Sequence, residues 1–174
     1  MVAPSGNRRR PNRGRDSDLP EGFDNNVVEI KRCTKVVKGG KRMRFSAWAV
    51  IGDRKGTVGV GHGKAREVPM AISKAVRNAK KHLFPVAVRK NTIPHQILAK
   101  SGATTVLLRP AAPGTGVVAG ATVRGIVELA GIHNILSKVM GSTNPVNVAK
   151  ATMQALQDLR TKSDMEQLRG VKIG

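Results

Sequence analysis

Tyrosine is absent from this chain, and one tryptophan with three phenylalanines brings aromatic content to only 2%. A platform for stacking unpaired bases is therefore poorly supplied. The single cysteine, Cys33, excludes an internal disulfide framework and points to a reducing compartment. The four histidines, at 62, 82, 95 and 133, show no metal-ligand spacing, and neither a metal nor another cofactor is expected. No apolar run approaches the roughly 18 residues of a membrane span, and the N-terminus lacks the hydrophobic core of a signal peptide. A soluble, cytoplasmic protein without membrane contact is the expectation. Acidic residues number only 11 and are scattered, which leaves paired-carboxylate catalysis little material.

What the chain has in quantity is positive charge. Its 174 residues carry 31 Lys and Arg, for a formal net charge of +20. That self-repulsion is carried most readily when a polyanion offsets it, which makes nucleic acid the leading partner. With so few aromatic rings, readout of shape and phosphate on folded RNA fits better than base stacking. The hydrophobic fraction, 40%, is ordinary and sufficient for one good core or two small ones.

Residues 1–22 are rich in Pro, Gly, Asn and Arg with almost nothing apolar to bury, and are read as a disordered basic arm. Val27 to Val37 is β-branched and basic, and Arg42 to Ile51 alternates, with Met43, Phe45, Ala47, Ala49 and Ile51 on one face. Gly39-Gly40 between them reads as a hairpin turn of the primed type, with Lys38, Lys41 and Arg42 at its tip. Trp48 falls on the opposite face with Arg44 and Ser46, and is expected to pack under a flanking element. Gly52 to Gly56 makes a second turn and Thr57 to Gly61 a third strand. Gly59, Gly61 and Gly63 are read as a glycine turn feeding a helix from about Glu67 to His82, where amides and Lys64 cradle one phosphate of a nucleic-acid backbone. Lys74, Arg77, Lys80 and Lys81 lie off the apolar stripe of that helix, either as a solvated face or as RNA contacts.

Phe84 and Pro85 end the helix and mark a domain boundary, after which the chain is more aliphatic. Strands are expected at Val86 to Val88, Thr92 to Ala99 and Ala103 to Arg109. The turn Gly114 to Gly120 opens a helix from Ala121 to Ala130 stopped by Gly131, followed by a strand from Ile135 to Met140. Asn144-Pro145 starts a helix with Val148, Ala149, Thr152, Met153, Leu156 and Leu159 inward, and Ser163 with Glu166 forms a capping-box pattern for a final short turn.

Two glycine motifs imitate nucleotide sites and fail on detail. VGVGHGKA, Val58 to Ala65, has Val58 where a Walker pattern needs Gly, and Ala65 where magnesium needs Ser or Thr. GTGVVA, Gly114 to Ala119, fits a dinucleotide fingerprint, but Pro110 and Pro113 break the strand that must lead into it. It reads as a structural or interface turn. No G-x-S-x-G places a nucleophile, and Cys33 reads as a small packing residue. Catalysis is not expected.

Six ordered blocks carry a family resemblance: RCTKVVKGGKRMRFSAWAVIGD from Arg32, GVGHGKAREVP from Gly59, TIPH from Thr92, PAAPGTGVVAG from Pro110, VRGIVELAGI from Val123 and KVMGSTNPVNVAKAT from Lys138. Together they closely resemble bacterial-type small-subunit ribosomal protein number five over about residues 24 to 160. The resemblance implies an α+β protein of two domains. One is an N-terminal β-β-β-α domain like a double-stranded-RNA-binding fold, over 23–85. The other is a C-terminal β-β-α-β-α domain with a left-handed βαβ crossover, over 86–162, leaving 163–174 as a tail. It implies a structural constituent of the small ribosomal subunit that binds small-subunit ribosomal RNA, supports assembly and decoding accuracy, and helps form the messenger RNA entry path. The implied protein partners are the small-subunit ribosomal proteins numbered four and eight. Residues assigned to RNA contact are Arg32, Thr34, Lys35, Lys38, Gly39, Gly40, Lys41, Arg42, Arg44, Arg54, Lys55, His62, Lys64 and Arg66. In the family, changes near the positions of Thr34 and Lys35 confer spectinomycin resistance. Gly116 and Arg124 match positions at the contact with protein four. The chain departs from the family pattern at Cys33, where Val is usual, in its Arg-rich start and in its short C-terminus.

Overall fold

A computed structural model describes residues 22–171, so the basic arm read at residues 1–22 lies, except for Gly22, outside the described residues. The first sheet has the order β1-β2-β3-β4, with β1 Asp24–Val37, β2 Gly40–Gly52, β3 Thr57–Ala65 and β4 Leu83–Pro85, all antiparallel. Alternation along β2 sends Ala47, Ala49 and Ile51 into one core with helix α1, Val68–Lys81, and Val50 into a second core on the other face. The expected alternation therefore holds at the base of β2, while Met43, on the same face nearer the tip, is exposed. β1 and β2 pair from Asp24↔Gly52 to Val37↔Gly40, with one register shift at Val27/Glu29. The connection at the tip is Lys38-Gly39, not Gly39-Gly40, since Gly40 already pairs with Val37. Of the two turn residues only the second, Gly39, takes a positive φ, +90°, so the turn is not of the expected primed type, which needs a positive φ at the first.

The glycine run resolves differently from its sequence reading. β3 continues through Gly59, Gly61 and Gly63 to Ala65, and the strand-to-helix link is only Arg66-Glu67. A Cβ built on Gly61 meets the Ala75 carbonyl oxygen at 2.1 Å, one on Gly63 meets that of Ala71 at 2.3 Å, and one on Gly59 meets that of Ala79 at 2.7 Å. These glycines let the α1 backbone lie directly on the sheet, and the phosphate cradle proposed for them is corrected to a packing seam. Pro69 sits in the first turn of α1, as expected, where no amide hydrogen is needed. The helix stops at Lys81, and Leu83 to Pro85 are the fourth strand, paired with Thr57 to Gly59.

The second sheet has the order β5-β6-β8-β7, with β5 Ile97–Ser101, β6 Thr104–Pro110, β7 Val117–Val118 and β8 Ile135–Gly141. Val86 to Val88 form no strand, and the strand expected from Thr92 begins only at Ile97. For the late start of the second the reason is local: Lys90 and Asn91 take φ of 48° and 65° in a tight loop closed by an Arg89–Thr92 bridge, and Pro94 has no amide hydrogen to give a ladder. β7 and β8 pair in parallel across α2, Ala121–Leu129, which makes a βαβ unit. Gly131 stops that helix, with φ +80°. Asn144 caps α3, Pro145–Gln157, by accepting from the Val146 amide, and every inward residue expected there is buried. The final helix, α4 Lys162–Arg169, has its capping box at Thr161 and Asp164 rather than at Ser163 and Glu166. Thr161 is extended at ψ 164° while Ser163 is already helical, so only Thr161 can cap.

The two sheets share a core, in which Val50, Val58 and Val86 join Val106, Ile126, Ile135 and Leu156. α2 closes on the first sheet through the Arg54 amide, which donates to the Leu129 carbonyl at 2.9 Å. Gly61→Val is expected to destabilise the chain by at least the roughly 1–3 kcal/mol typical of overpacking, read from urea denaturation midpoints. An unchanged midpoint would contradict the seam.

Candidate nucleic-acid interface

Past Arg32 and Phe45 the β1–β2 hairpin has no third strand over it, and its residues are exposed apart from the half-buried Val37. The register sorts its cations. Lys35 lies opposite Arg42, Cys33 opposite Arg44, and Ser46 opposite Lys64, so Lys35, Arg42, Arg44 and Lys64 share one face of the sheet. Arg32, Thr34 and Lys41 lie on the other, while Lys38, Gly39 and Gly40 form the tip and Arg66 follows the end of β3. Among the described residues no carboxylate lies within salt-bridge distance of these cations; Glu29, further down β1, is taken by Lys31 at 3.1 Å. A projecting ribbon with cations on both faces and no paired carboxylate among the described residues carries a concentrated positive potential.

His62 stands apart from that exposed set. It lies opposite Trp48, half-buried, with its Nε2 2.7 Å from Ser46 Oγ and its ring stacked on the indole at 4.8 Å between centroids. Lys150, from α3, reaches over the same indole at 5.5 Å from the ring centre. Trp48 thus packs under a flanking element, as expected, and that element is α3. Desolvation, then the charges of Lys64 and Lys150, hold the His62 pKa below the ordinary histidine value of 6.5.

Arg54 and Lys55 are not brought to the hairpin. They sit in the turn at the other end of β2, about 40 Å from the tip at 3.4 Å per residue, and Arg54 is paired with Asp24 at 2.8 Å. Burial works against the Asp53 charge there, yet the amides of Thr57 and Lys55 outweigh it, each at 2.8 Å, and its pKa is lowered. Gly116 and Arg124 both lie at the corner where β7 enters α2. The Gly114 and Gly116 amides donate to Asn134 Oδ1 at 3.1 Å, and Arg124 donates to the Val117 carbonyl at 3.3 Å. The turn is therefore structural, with exposed Val118 and Leu136 beside it. On α1, Lys74, Arg77 and Lys81 are exposed, across the first sheet from Trp48. Sequence reasoning missed Lys100 and Lys150, which no local spacing connects to Trp48 or His62.

The class these observations define is an α+β protein of two sheets that holds out a ribbon of exposed cations. The chain matches the family models for the N-terminal domain of ribosomal protein S5 over residues 23–87 and for its C-terminal domain over residues 99–169. It belongs to the ribosomal protein S5 family. Similar relatives, each named small ribosomal subunit protein uS5, include those of Thermosipho africanus, 54% identical over 87% of this chain and 86% of the relative, and Thermotoga petrophila, 52% identical over 88% and 86%. That of Thermus thermophilus is 51% identical over 87% of this chain and 94% of its own length. The chain is thus a structural, non-enzymatic constituent of the small ribosomal subunit, placed with the ribosome in the cytoplasm.

The lowered His62 pKa sets a pH dependence. The unfolded chain binds the proton more tightly, so the stability linked to neutral His62 is fully present above pH 6.5 and is lost as pH falls through the lower folded-state value. His62→Gln is expected to shrink the difference between urea midpoints at about pH 7.5 and about pH 5.5. An unchanged difference would place the pH sensitivity elsewhere.

Proposed function

We propose that the chain grips small-subunit ribosomal RNA through the β1–β2 hairpin and, from that grip, supports subunit assembly, decoding accuracy and the messenger RNA entry path. The observation that carries this reading is the set of exposed hairpin cations left without carboxylate partners among the described residues. Lysine and arginine side chains displace condensed counterions from RNA phosphates, and the release of those ions supplies the affinity. The contact fixes position rather than reading base sequence, in keeping with the lack of aromatic residues at the tip. Thr34 and the Lys38-Gly39 turn lie at the outer end, where they reach furthest from the body. The corner of Gly116 and Arg124 is the proposed contact with ribosomal protein number four, since it combines a fixed loop with exposed Val118 and a cation. Protein number eight is the second proposed neighbour.

For full-length chain and transcribed small-subunit RNA, contact with about 6 to 10 phosphates predicts an affinity loss of roughly 10³ to 10⁵ between 50 and 200 mM salt. Replacing Lys35, Arg42 and Arg44 together by Gln is expected to lower the slope of log affinity against log salt by about 3. Filter binding measures both, and a variant that binds like the parent would reject the hairpin as the grip. Gly39→Val places a β-branched residue at φ +90° with open space around it, so the strain is confined to the turn. It is expected to impair incorporation into reconstituted subunits while leaving the urea midpoint near the parent value. A matched loss of both would make the turn a folding element only.

A further inference from the structure

Between the β3 side of the first sheet and helix α3 lies a groove of about 490 Å³. The first half of the chain contributes Trp48 and His62, the second half Lys100 and Lys150. Not one residue lining the groove carries a carboxylate. Of the carboxylates on neighbouring elements, Glu29, opposite Trp48 on β1, is held by Lys31 at 3.1 Å, and Asp158, which accepts from the Gln154 amide at 3.1 and 3.2 Å, is not in salt-bridge range of Lys100 or Lys150. Lys100 and Lys150 therefore face a concave surface with no counter-charge among the described residues. Lys150 is held in place by the face of Trp48, and Trp48 by its stack on His62.

The groove continues a surface already described. Arg42, Arg44, Ser46 and Trp48 alternate along one face of β2, with Lys64 beside Ser46 and His62 beside Trp48. From Arg42 to Trp48 that line is about 20 Å long. It starts on the free hairpin and ends in the groove, where the second half of the chain adds its two lysines.

We propose that this groove is a composite phosphate site, in which Lys100 and Lys150 from one half and the His62 imidazole from the other hold a backbone phosphate of the RNA whose other phosphates meet the hairpin. The proposal rests on the hairpin reading given above. Continuity with the hairpin face favours RNA over an acidic protein segment, because a single polyanion running along the line neutralises both ends. The cations that press on His62, Lys64 from its own strand and Lys150 from α3, act in the direction an incoming phosphate would reverse. Lys100 on β5 and His82 at the end of α1 line the same groove and add no negative charge.

The test compares full-length parent, a Lys100→Gln/Lys150→Gln variant and Lys150→Arg, all binding transcribed small-subunit RNA across a salt series, with melting curves to confirm equal folding. The double variant is expected to bind several-fold more weakly with a salt slope lower by about 1, and Lys150→Arg to retain parental binding. In parallel, the imidazole resonances of His62 are expected to titrate at higher pH once RNA is bound. Parental binding by the double variant, with loss in the hairpin variant, overturns the groove and leaves the hairpin reading standing. Parental binding by both variants overturns the hairpin reading and the groove together. Inorganic phosphate and polyglutamate serve as the remaining probes. Loss of affinity for either one in the double variant, with RNA affinity unchanged, assigns the groove to free phosphate or to an acidic protein and overturns the RNA proposal.

Discussion

Strand β2 is covered on both faces at its base and on neither at its tip, and this polarity organises the molecule. At the base, α1 presses from one side through the glycine seam and the second sheet with α2 presses from the other. The two contacts are of different kinds. Against α1 the sheet offers mainly glycine and alanine, with Ile51 the one large side chain fully buried there, so backbone approaches backbone; against α2 it offers Val50 and Val58 to a larger aliphatic core. Clamped in this way, the ribbon leaves the body with a fixed direction and register, and its outer residues are free to be chosen for charge instead of packing.

That division explains how a chain with a formal charge of +20 folds at all. Among the described residues the cations stand at the surface, on the hairpin, on the outer side of α1, in loops and at solvent-facing positions of the second half such as Lys100, Lys138 and Lys150, while the two cores hold almost no polar groups. Concentrating like charge on a projecting ribbon raises its potential and leaves the body's hydrophobic burial undisturbed. The groove at Trp48 is the place where both halves of the molecule bring charge together, and it lies on the line the hairpin begins.

Much of this was legible in the sequence where period and punctuation agree. The alternation from Phe45 to Ile51, the stop at Gly131 and the Asn144-Pro145 helix start all stand where their chemistry puts them, and the β-β-β-α then mixed α/β order follows. The glycine run at 59, 61 and 63 was misread because glycine at alternate positions serves a tight turn and a close helix-on-strand approach equally well; only α1's alanines, brought back over the strand, distinguish them. The strand expected from Thr92 starts late for a local reason, the left-handed conformations of Lys90 and Asn91 just before it, which apolar content does not report. Of the candidate site, the hairpin cations were found together, whereas Arg54 and Lys55 proved to belong to the opposite end of the sheet. Lys100 and Lys150 were invisible, since they reach His62 and Trp48 only through the tertiary fold.

Cys33 lies exposed on the hairpin face that carries Lys35 and Arg44, and it is the only cysteine in the chain. An iron chelate tethered to it generates hydroxyl radicals at the proposed contact without any substitution. In small subunits reconstituted with the tethered protein, the account predicts strand scission of the ribosomal RNA confined to nucleotides around the hairpin. Intact RNA from particles that have incorporated the tethered protein would contradict it.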